Sequence, residues 1–293
     1  MSTASAFRFA PTPNGALHLG HAYSALMNAR LAAAAGGRLL LRIEDLDRTR
    51  CKPQYESAIG DDLAWLGLVF DGVPRRQSEH GDDYARALES LRARGLAYPC
   101  FCSRGQVAAA ASGRDPDGAP LYPGTCRSLE PRQVAERLAA GERAAWRLDS
   151  ARARAAAPAE LTWREFGEGE TETRCAADPA AWGDFVLGGR DAAASYHLAV
   201  VVDDALQEVG DVVRGRDLFA ATSAHRLLQA LLGLPAPRYR HHRLVLDANG
   251  DKMSKSAAST PLAALRARGA TADDVRVALG FAPGAPCFAV RFS

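Results

Sequence analysis

The chain opens with a short strand, a sharp turn, a helix and a second apolar strand. That succession restricts the fold more than any other feature. Residues Ala6–Ala10 read as a strand running into the turn Pro11-Thr-Pro-Asn-Gly15. Leu19–Ala35 then reads as a helix, rich in Ala and Leu and stopped by Gly36-Gly37. Arg38–Ile43 is a mostly apolar run that suits a buried strand. A helix between two such strands predicts a parallel sheet with crossover helices, an α/β architecture.

Further along, helices are expected at Gln54–Leu66 and Asp82–Arg94, and a strand or extended segment at Leu96–Cys102. The middle of the chain changes character. Gln106–Gly113 is Ala-rich, Asp115–Gly124 is dense in Pro, Gly and Asp and reads as loop, and Arg143–Leu148 and Leu161–Glu165 read as short strands. Tyr196–Val202 and Gln207–Val213 then read as strands and Leu218–Leu232 as an amphipathic helix. Arg243–Leu246 reads as a strand before an Asn249-Gly250 turn, and Pro261–Leu279 as helical. The expected division is the first half of an α/β domain at 1–97, an inserted α+β subdomain at 98–190, the second half at 191–256 and a short helical segment at 257–293.

With 293 residues, 47% hydrophobic and 24% charged, the chain can bury an ordinary core and is neither disordered nor fibrous. No apolar run reaches membrane-spanning length. The N-terminus lacks the basic-then-apolar pattern of a signal peptide. A cytoplasmic protein with no membrane partner is expected. A net charge of +2 neither demands nor excludes nucleic acid. Of the 36 basic residues only Lys52, Lys252 and Lys255 are lysines. A GC-rich genome explains the skew, yet it sets apart the two lysines that share one five-residue segment. Of the six cysteines, Cys51, Cys175 and Cys287 carry no pattern. Cys100, Cys102 and Cys126 fall in one stretch, which in a reducing compartment suggests metal.

Three constellations carry chemistry. The first runs from Pro11 to His18-Leu-Gly20-His21, between a strand and a helix N-terminus. Free N–H groups and the positive end of the helix dipole bind phosphate there. Gly20 allows close approach, and His18 and His21 supply donors to a phosphate that gains charge. Capping or surface histidines are the plain alternative. The second is Asp251-Lys252-Met-Ser254-Lys255-Ser256, ammonium charges and hydroxyls that suit a triphosphate, or else a solvated loop. His241-His242 lie just before it and could touch phosphate by position alone. The third is Cys100-Phe-Cys102 with Tyr122-Pro-Gly-Thr-Cys126, three thiols that suit Zn²⁺ or stand without metal.

The first two segments, in this order, resemble the HIGH and KMSKS signatures of class I aminoacyl-tRNA synthetases. Four flanking stretches resemble the glutamyl/glutaminyl branch: Arg8-Phe-Ala-Pro-Thr-Pro-Asn-Gly, Leu41-Arg-Ile-Glu44-Asp45-Leu-Asp47-Arg48, Tyr196-His-Leu-Ala-Val-Val-Val-Asp203-Asp204 and Asp211-Val-Val-Arg214-Gly-Arg216-Asp217. The likeness runs from Arg8 to about Ser256. It implies a Rossmann catalytic domain of class I synthetase type with an inserted, zinc-binding α+β subdomain and a short helical C-terminus. It also implies activation of L-glutamate by ATP with Mg²⁺. Catalysis falls to His18, His21, Lys252 and Lys255, with Gly20 and Ser254 joining them around ATP. Glutamate is implied to meet Arg8, Phe9, Ala10, Pro11, Thr12, Glu44, Tyr196 and Arg214. The chemistry agrees: two carboxylates want guanidinium forks and an ammonium wants an acid. Arg42–Asp45 and Arg214–Asp217 could equally be structural ion pairs. For one structural zinc ion the resemblance adds Tyr122 to Cys100, Cys102 and Cys126, with Asp115, Asp117 or water as the other choices.

Only 37 residues follow Ser256, where discriminating glutamyl-tRNA synthetases continue into an anticodon-reading helical bundle. With the cysteine pattern, this resembles the short glutamyl-queuosine tRNA(Asp) synthetases. The likeness implies transfer of glutamate to queuosine at the wobble position, with the anticodon stem-loop of tRNA(Asp) as partner. The alternative is a minimal enzyme charging a 3′ ribose. A monomer is expected.

Overall fold

A computed structural model describes residues 5–167, 171–247, 250, 253, 259–283, 288 and 290–293. The chain divides into two compact units, Met1–Glu79 with Glu208–Leu218 and Tyr239–Ser293, and His80–Gln207 with Phe219–Arg238. Residues 98–190 lie within the second unit, which also takes in chain on both sides of them.

The first unit is built on the opening pattern. The strand Ala6–Phe9 is buried along its whole length and pairs in parallel with Arg38–Ile43, Ala6 opposite Arg38 and Phe9 opposite Leu41. Arg38–Ile43 pairs in parallel with Arg75–Arg76. The helix Leu19–Ala34 makes the crossover and buries Leu19, Ala22, Tyr23, Ala25, Leu26 and Met27. Each large apolar side chain so buried contributes about 2 kcal/mol. Gly37, which ends the crossover, is required by close approach: a Cβ there would sit 2.2 Å from the Ser5 carbonyl oxygen. Val209 bridges Ala6 in parallel, and Asn28 on the helix donates to the Val213 carbonyl at 3.1 Å, so the later strand Asp211–Gly215 is held against the same helix. All these strands run in one direction, so the segments after Phe9 and Ile43 and the end of Asp211–Gly215 leave the same edge.

The second unit packs the helices Gly81–Ala93, Tyr196–Leu206 and Ala221–Leu232 against one another. A buried Tyr84 hydroxyl, 3.0 Å from both Asp203 carboxylate oxygens, ties the first two together. An antiparallel sheet of Ala97–Cys100, Ala145–Leu148 and Val186–Gly188 carries the cysteine stretch at one end. Thr162–Phe166 and Glu172–Ala176 form a hairpin.

Several expected elements change. Tyr196–Val202 is not a strand but the start of the helix Tyr196–Leu206. A short apolar run carries no period that separates strand from helix. The deciding signal is Ser195, whose hydroxyl accepts from Leu198 N–H as an N-cap. The expected strand Gln207–Val213 begins later, at Asp211, because Glu208 adopts a positive φ of 55°. The strand expected at Arg243–Leu246 shortens to Val245–Leu246, and a strand that the sequence reading does not predict, Arg238–His242, precedes it. The C-terminal helix is two short ones, Leu262–Ala267 and Ala272–Ala278. The Ala-rich middle adds helices at Arg104–Ala110, Pro131–Ala139 and Ser150–Ala156. No helix among the described residues is long and apolar enough to cross a membrane.

Candidate active site and thiol cluster

The His18–His21 segment caps the helix Leu19–Ala34 with two imidazoles. His18 is the N-cap: its Nδ1 accepts from Gly20 N–H at 3.1 Å, and His21 Nδ1 accepts from His18 N–H at 3.2 Å. The rings lie 3.9 Å apart, centre to centre. An imidazole nitrogen that accepts carries no proton, so each neutral ring bears its N–H on Nε2. Two Nε2 donors thus stand at the helix N-terminus, whose positive dipole end suits an anion. A Cβ on Gly20 would sit 3.0 Å from the His18 ring, so the ring would have to give way slightly. Leu262 N–H donates to Leu17 carbonyl at 2.8 Å, and Pro261 bridges His18, so the chain beyond the second motif returns to the first. Lys252, Ser254 and Lys255 lie outside the described residues.

At the shared strand edge stand Phe9, Ala10, Pro11, Thr12, Glu44 and Arg214. Glu44 N–H donates to Pro11 carbonyl at 3.1 Å, joining the two exits. Arg8 stands opposite Leu40, and Arg42 two residues on from Leu40 shares that face of the sheet. Arg8, Arg42 and Arg214 are 4%, 0% and 5% exposed. Arg42 Nη2 lies 3.3 Å from Glu44 Oε1, so its ion-pair partner is Glu44 and not Asp45. Asp45 instead accepts from Ser78 N–H at 2.8 Å and Ser78 hydroxyl at 2.5 Å. Arg214 donates from Nε to His241 Nε2 at 3.2 Å and from Nη2 to Leu218 carbonyl at 3.1 Å. His242 packs edge-on against Tyr23 at 5.1 Å, and burial lowers its pKa. Tyr196 belongs to the second unit, in the first turn of its helix, 5.6 Å between ring centres from His225. Sequence reasoning alone misses Arg42 and His241 as neighbours of these groups. Their signal is present only as register: Arg42 is two residues before Glu44, and His241 sits on a strand that the sequence pattern does not announce.

In the second unit Cys100, Cys102 and Cys126 bring their sulfurs within 4.8 Å of one another. Cys102 and Cys126 sulfurs are 3.5 Å apart, and Cys102 sulfur is 3.6 Å from the Tyr122 hydroxyl. Zinc–sulfur bonds of about 2.3 Å in a tetrahedron put sulfurs ~3.8 Å apart, so the donor set fits such an ion. Cys126 N–H donates to the Tyr122 oxygen at 2.8 Å, and Phe101 N–H to Cys126 sulfur at 3.4 Å. Burial opposes ionisation of Cys126. The hydrogen bonds from Tyr122, Phe101, Cys102 and Cys100 outweigh it and hold this thiol below its ordinary pKa. Burial pushes Cys102 up, and burial with its bonds to the thiols pushes Tyr122 up. The protein thus leans Cys126 towards its thiolate, and a bound cation would favour ionisation of Cys102 and Tyr122. Cations surround them. The Arg147 guanidinium lies 4.0 Å from the Tyr122 ring centre, Arg137 lies over the Phe101 ring, and Arg190 donates to Phe101 and Cys102 carbonyls. Asp184 braces the sheet beneath, accepting from Tyr98, Arg127 and Ser150.

Residues 6–277 match the model of the class I tRNA synthetases (E and Q), catalytic domain. The chain is 45% identical to a glutamyl-Q tRNA(Asp) synthetase of Rhodobacter capsulatus, over 93% of this chain and 99% of that protein. It is 41% identical to that of Symbiobacterium thermophilum over 94% of this chain and 86% of the relative. Among solved structures it resembles a glutamate tRNA ligase of Elizabethkingia meningosepticum in complex with its amino acid. The TM-score there is 0.76 at 26% identity, covering 97% of this chain and 62% of that one. The chain therefore spans somewhat under two thirds of that ligase.

Proposed function

The chain belongs to the class I tRNA synthetases of the glutamate and glutamine branch, and from that premise we propose that it activates L-glutamate with ATP and transfers the glutamyl group to queuosine at the wobble position of tRNA(Asp). It is a ligase of the glutamate–tRNA type. The observation that carries the finer reading is the charge at the strand edge. Arg8, Arg42 and Arg214 are almost wholly buried there, and Glu44 stands beside Arg42. Guanidinium forks recognise carboxylates through charge-assisted, bidentate hydrogen bonds. A substrate with two carboxylates and one ammonium brings anions to Arg8 and Arg214 and a cation to Glu44. Phe9–Thr12 line the exit of the same strand, and the resemblance adds the Tyr196 hydroxyl to the glutamate contacts. The glutamyl-Q name of the relatives supports queuosine as acceptor.

In the first step a glutamate α-carboxylate oxygen attacks the α-phosphorus of ATP. The bond to the bridging oxygen breaks, and pyrophosphate leaves with its electron pair. The carboxylate is already ionised at neutral pH, so this step needs neither a protein nucleophile nor a general base. Catalysis is positioning and charge stabilisation. His18 and His21 donate from Nε2 to the reacting phosphate beside the helix terminus, where Gly20 lets it approach. Lys252, Ser254 and Lys255 hold the outer phosphates of the nucleotide, taken as its Mg²⁺ complex. In the second step a queuosine ring hydroxyl attacks the carbonyl carbon of the mixed anhydride, AMP leaves and an ester forms. Cys100, Cys102, Tyr122 and Cys126 would hold one structural Zn²⁺, which supplies cross-linking of the loop and no chemistry to the reaction.

The test is transfer of radiolabelled glutamate, with ATP and Mg²⁺, to tRNA(Asp) with and without queuosine. Label confined to the queuosine-containing RNA and surviving periodate treatment of its 3′ end is the expected result. Label on unmodified tRNA that periodate abolishes would make the enzyme a 3′-charging synthetase instead. Retention of RNA by the protein without label would contradict both steps.

A further inference from the structure

We infer that His241 is a positioning residue for the substrate carboxylate: a neutral hydrogen-bond acceptor that fixes the Arg214 guanidinium without cancelling its charge. The inference rests on the proposed glutamate site and goes beyond the residues assigned to it. Arg214 lies on the strand Asp211–Gly215 and His241 on its neighbour Arg238–His242. Arg214 Nε donates to His241 Nε2 at 3.2 Å, and Nη2 to Leu218 carbonyl at 3.1 Å. Two bonds to different atoms of one planar group set its plane and its in-plane rotation.

The donor–acceptor chemistry decides the state of the imidazole. A guanidinium has donors only, so His241 Nε2 must offer a lone pair, and the ring that makes this bond is uncharged. The ring is itself held. It lies parallel to Tyr239, 1° between planes and 6.0 Å between centres, and the same Tyr239 ring lies 5.3 Å from the Arg214 guanidinium carbon. A carboxylate in place of His241 would orient Arg214 equally well. It would also add a negative charge beside a cation that a carboxylate substrate needs, and compete with that substrate. An imidazole or an amide oxygen orients and leaves the charge. Position in the sequence, just before the second motif, suggests a phosphate contact for this histidine. The geometry assigns it to the amino-acid side of the reaction.

Three variants separate acceptor, ring and charge. His241→Gln keeps a neutral acceptor, His241→Phe keeps the ring over Tyr239 without an acceptor, and His241→Glu keeps an acceptor but adds a negative charge. The readout is glutamate-dependent ATP–pyrophosphate exchange, with KM for glutamate, KM for ATP and kcat measured separately. His241→Phe should raise KM for glutamate about 10-fold, the size expected for losing one hydrogen bond to a charged group. KM for ATP and kcat should stay within about 3-fold, as expected when binding alone is lost. His241→Gln should restore KM for glutamate to near wild type, and His241→Glu should raise it at least as far as His241→Phe. Unchanged KM for glutamate in His241→Phe, or equal damage in Phe and Gln variants, would overturn the inference while leaving the proposed activity standing. A wild-type protein without glutamate-dependent exchange would overturn the proposed activity and this inference together.

Discussion

The thiol cluster and the arginine edge are opposites in charge and in how the chain encodes them. Cys100, Cys102, Tyr122 and Cys126 come from one stretch of the second unit, and each is a group that becomes an anion when it binds a cation. Arg8, Arg42 and Arg214 come from three strands of the first unit, and all are permanent cations. The first site holds both tendencies: burial pushes Cys102 and Tyr122 towards their protonated states, while hydrogen bonds hold Cys126 below its ordinary pKa. The second has no neutral form to retreat to: Glu44 meets Arg42, and an imidazole and a carbonyl accept from Arg214. Metal affinity in one region and substrate affinity in the other should therefore respond to different kinds of substitution.

The largest expected effect is at the ligands themselves. Cys126→Ser removes the thiol best prepared to ionise, and bound zinc, measured by competition with a chromophoric chelator, should fall by at least about 1,000-fold in affinity. Loss of zinc without a change in glutamate KM would sharpen the contrast between the regions, and an equal loss of both would break it. Next comes Arg214→Ala, which should raise KM for glutamate about 100-fold, roughly 3 kcal/mol, by leaving a buried carboxylate without its partner. Zinc content is expected to stay at wild-type level. Arg147→Met is the next step down. It keeps the shape over Tyr122 and removes the charge, and zinc affinity should drop about 10-fold to 100-fold, as for other groups just outside a ligand set. Arg147→Lys should recover part of it, and an affinity untouched in the Met variant would remove Arg147 from the account.

The smallest effect concerns a buried acid that belongs to neither site. Asp62 is almost wholly buried, its carboxylate oxygens have no hydrogen-bond partner among the described residues, and Arg266 stands 3.7 Å away. Burial raises its pKa, opposed by Arg266. The unfolded chain therefore ionises first, and stability falls as pH rises from the ordinary carboxylate value, about 4, through the raised folded value. Asp62→Asn should remove this slope and change stability by about 1 kcal/mol at neutral pH. Thermal unfolding across pH checks it. An identical slope in the variant would show that Asp62 does not titrate in this range.

The same contrast explains how much of the molecule is legible in its amino-acid sequence. The thiol cluster is legible because its groups are near in sequence and cysteine spacing is chemically specific. The opening parallel unit is legible because Pro, Gly and apolar runs mark its turn and strands. The arginine edge is legible only where motifs mark it, at Arg8, Glu44 and Arg214. Arg42 and His241 escape because their roles come from strand alternation and from the pairing of two late strands. Tyr196–Val202 misleads because its apolar run suits either element and a single serine hydroxyl decides. The roles of Lys252, Ser254 and Lys255 rest on sequence.

The central claim is that the buried arginines are there for a substrate with two carboxylates. The most direct measurement is ATP–pyrophosphate exchange with the wild-type protein, comparing glutamate with glutamine, which keeps the shape of the side chain but loses the second negative charge. Exchange with glutamate and a kcat/KM for glutamine lower by about 1,000-fold or more is the predicted result, since a desolvated guanidinium would face an uncharged amide. Comparable exchange with both amino acids would contradict it, and would mean that Arg8, Arg42 and Arg214 hold the fold and do not read the substrate.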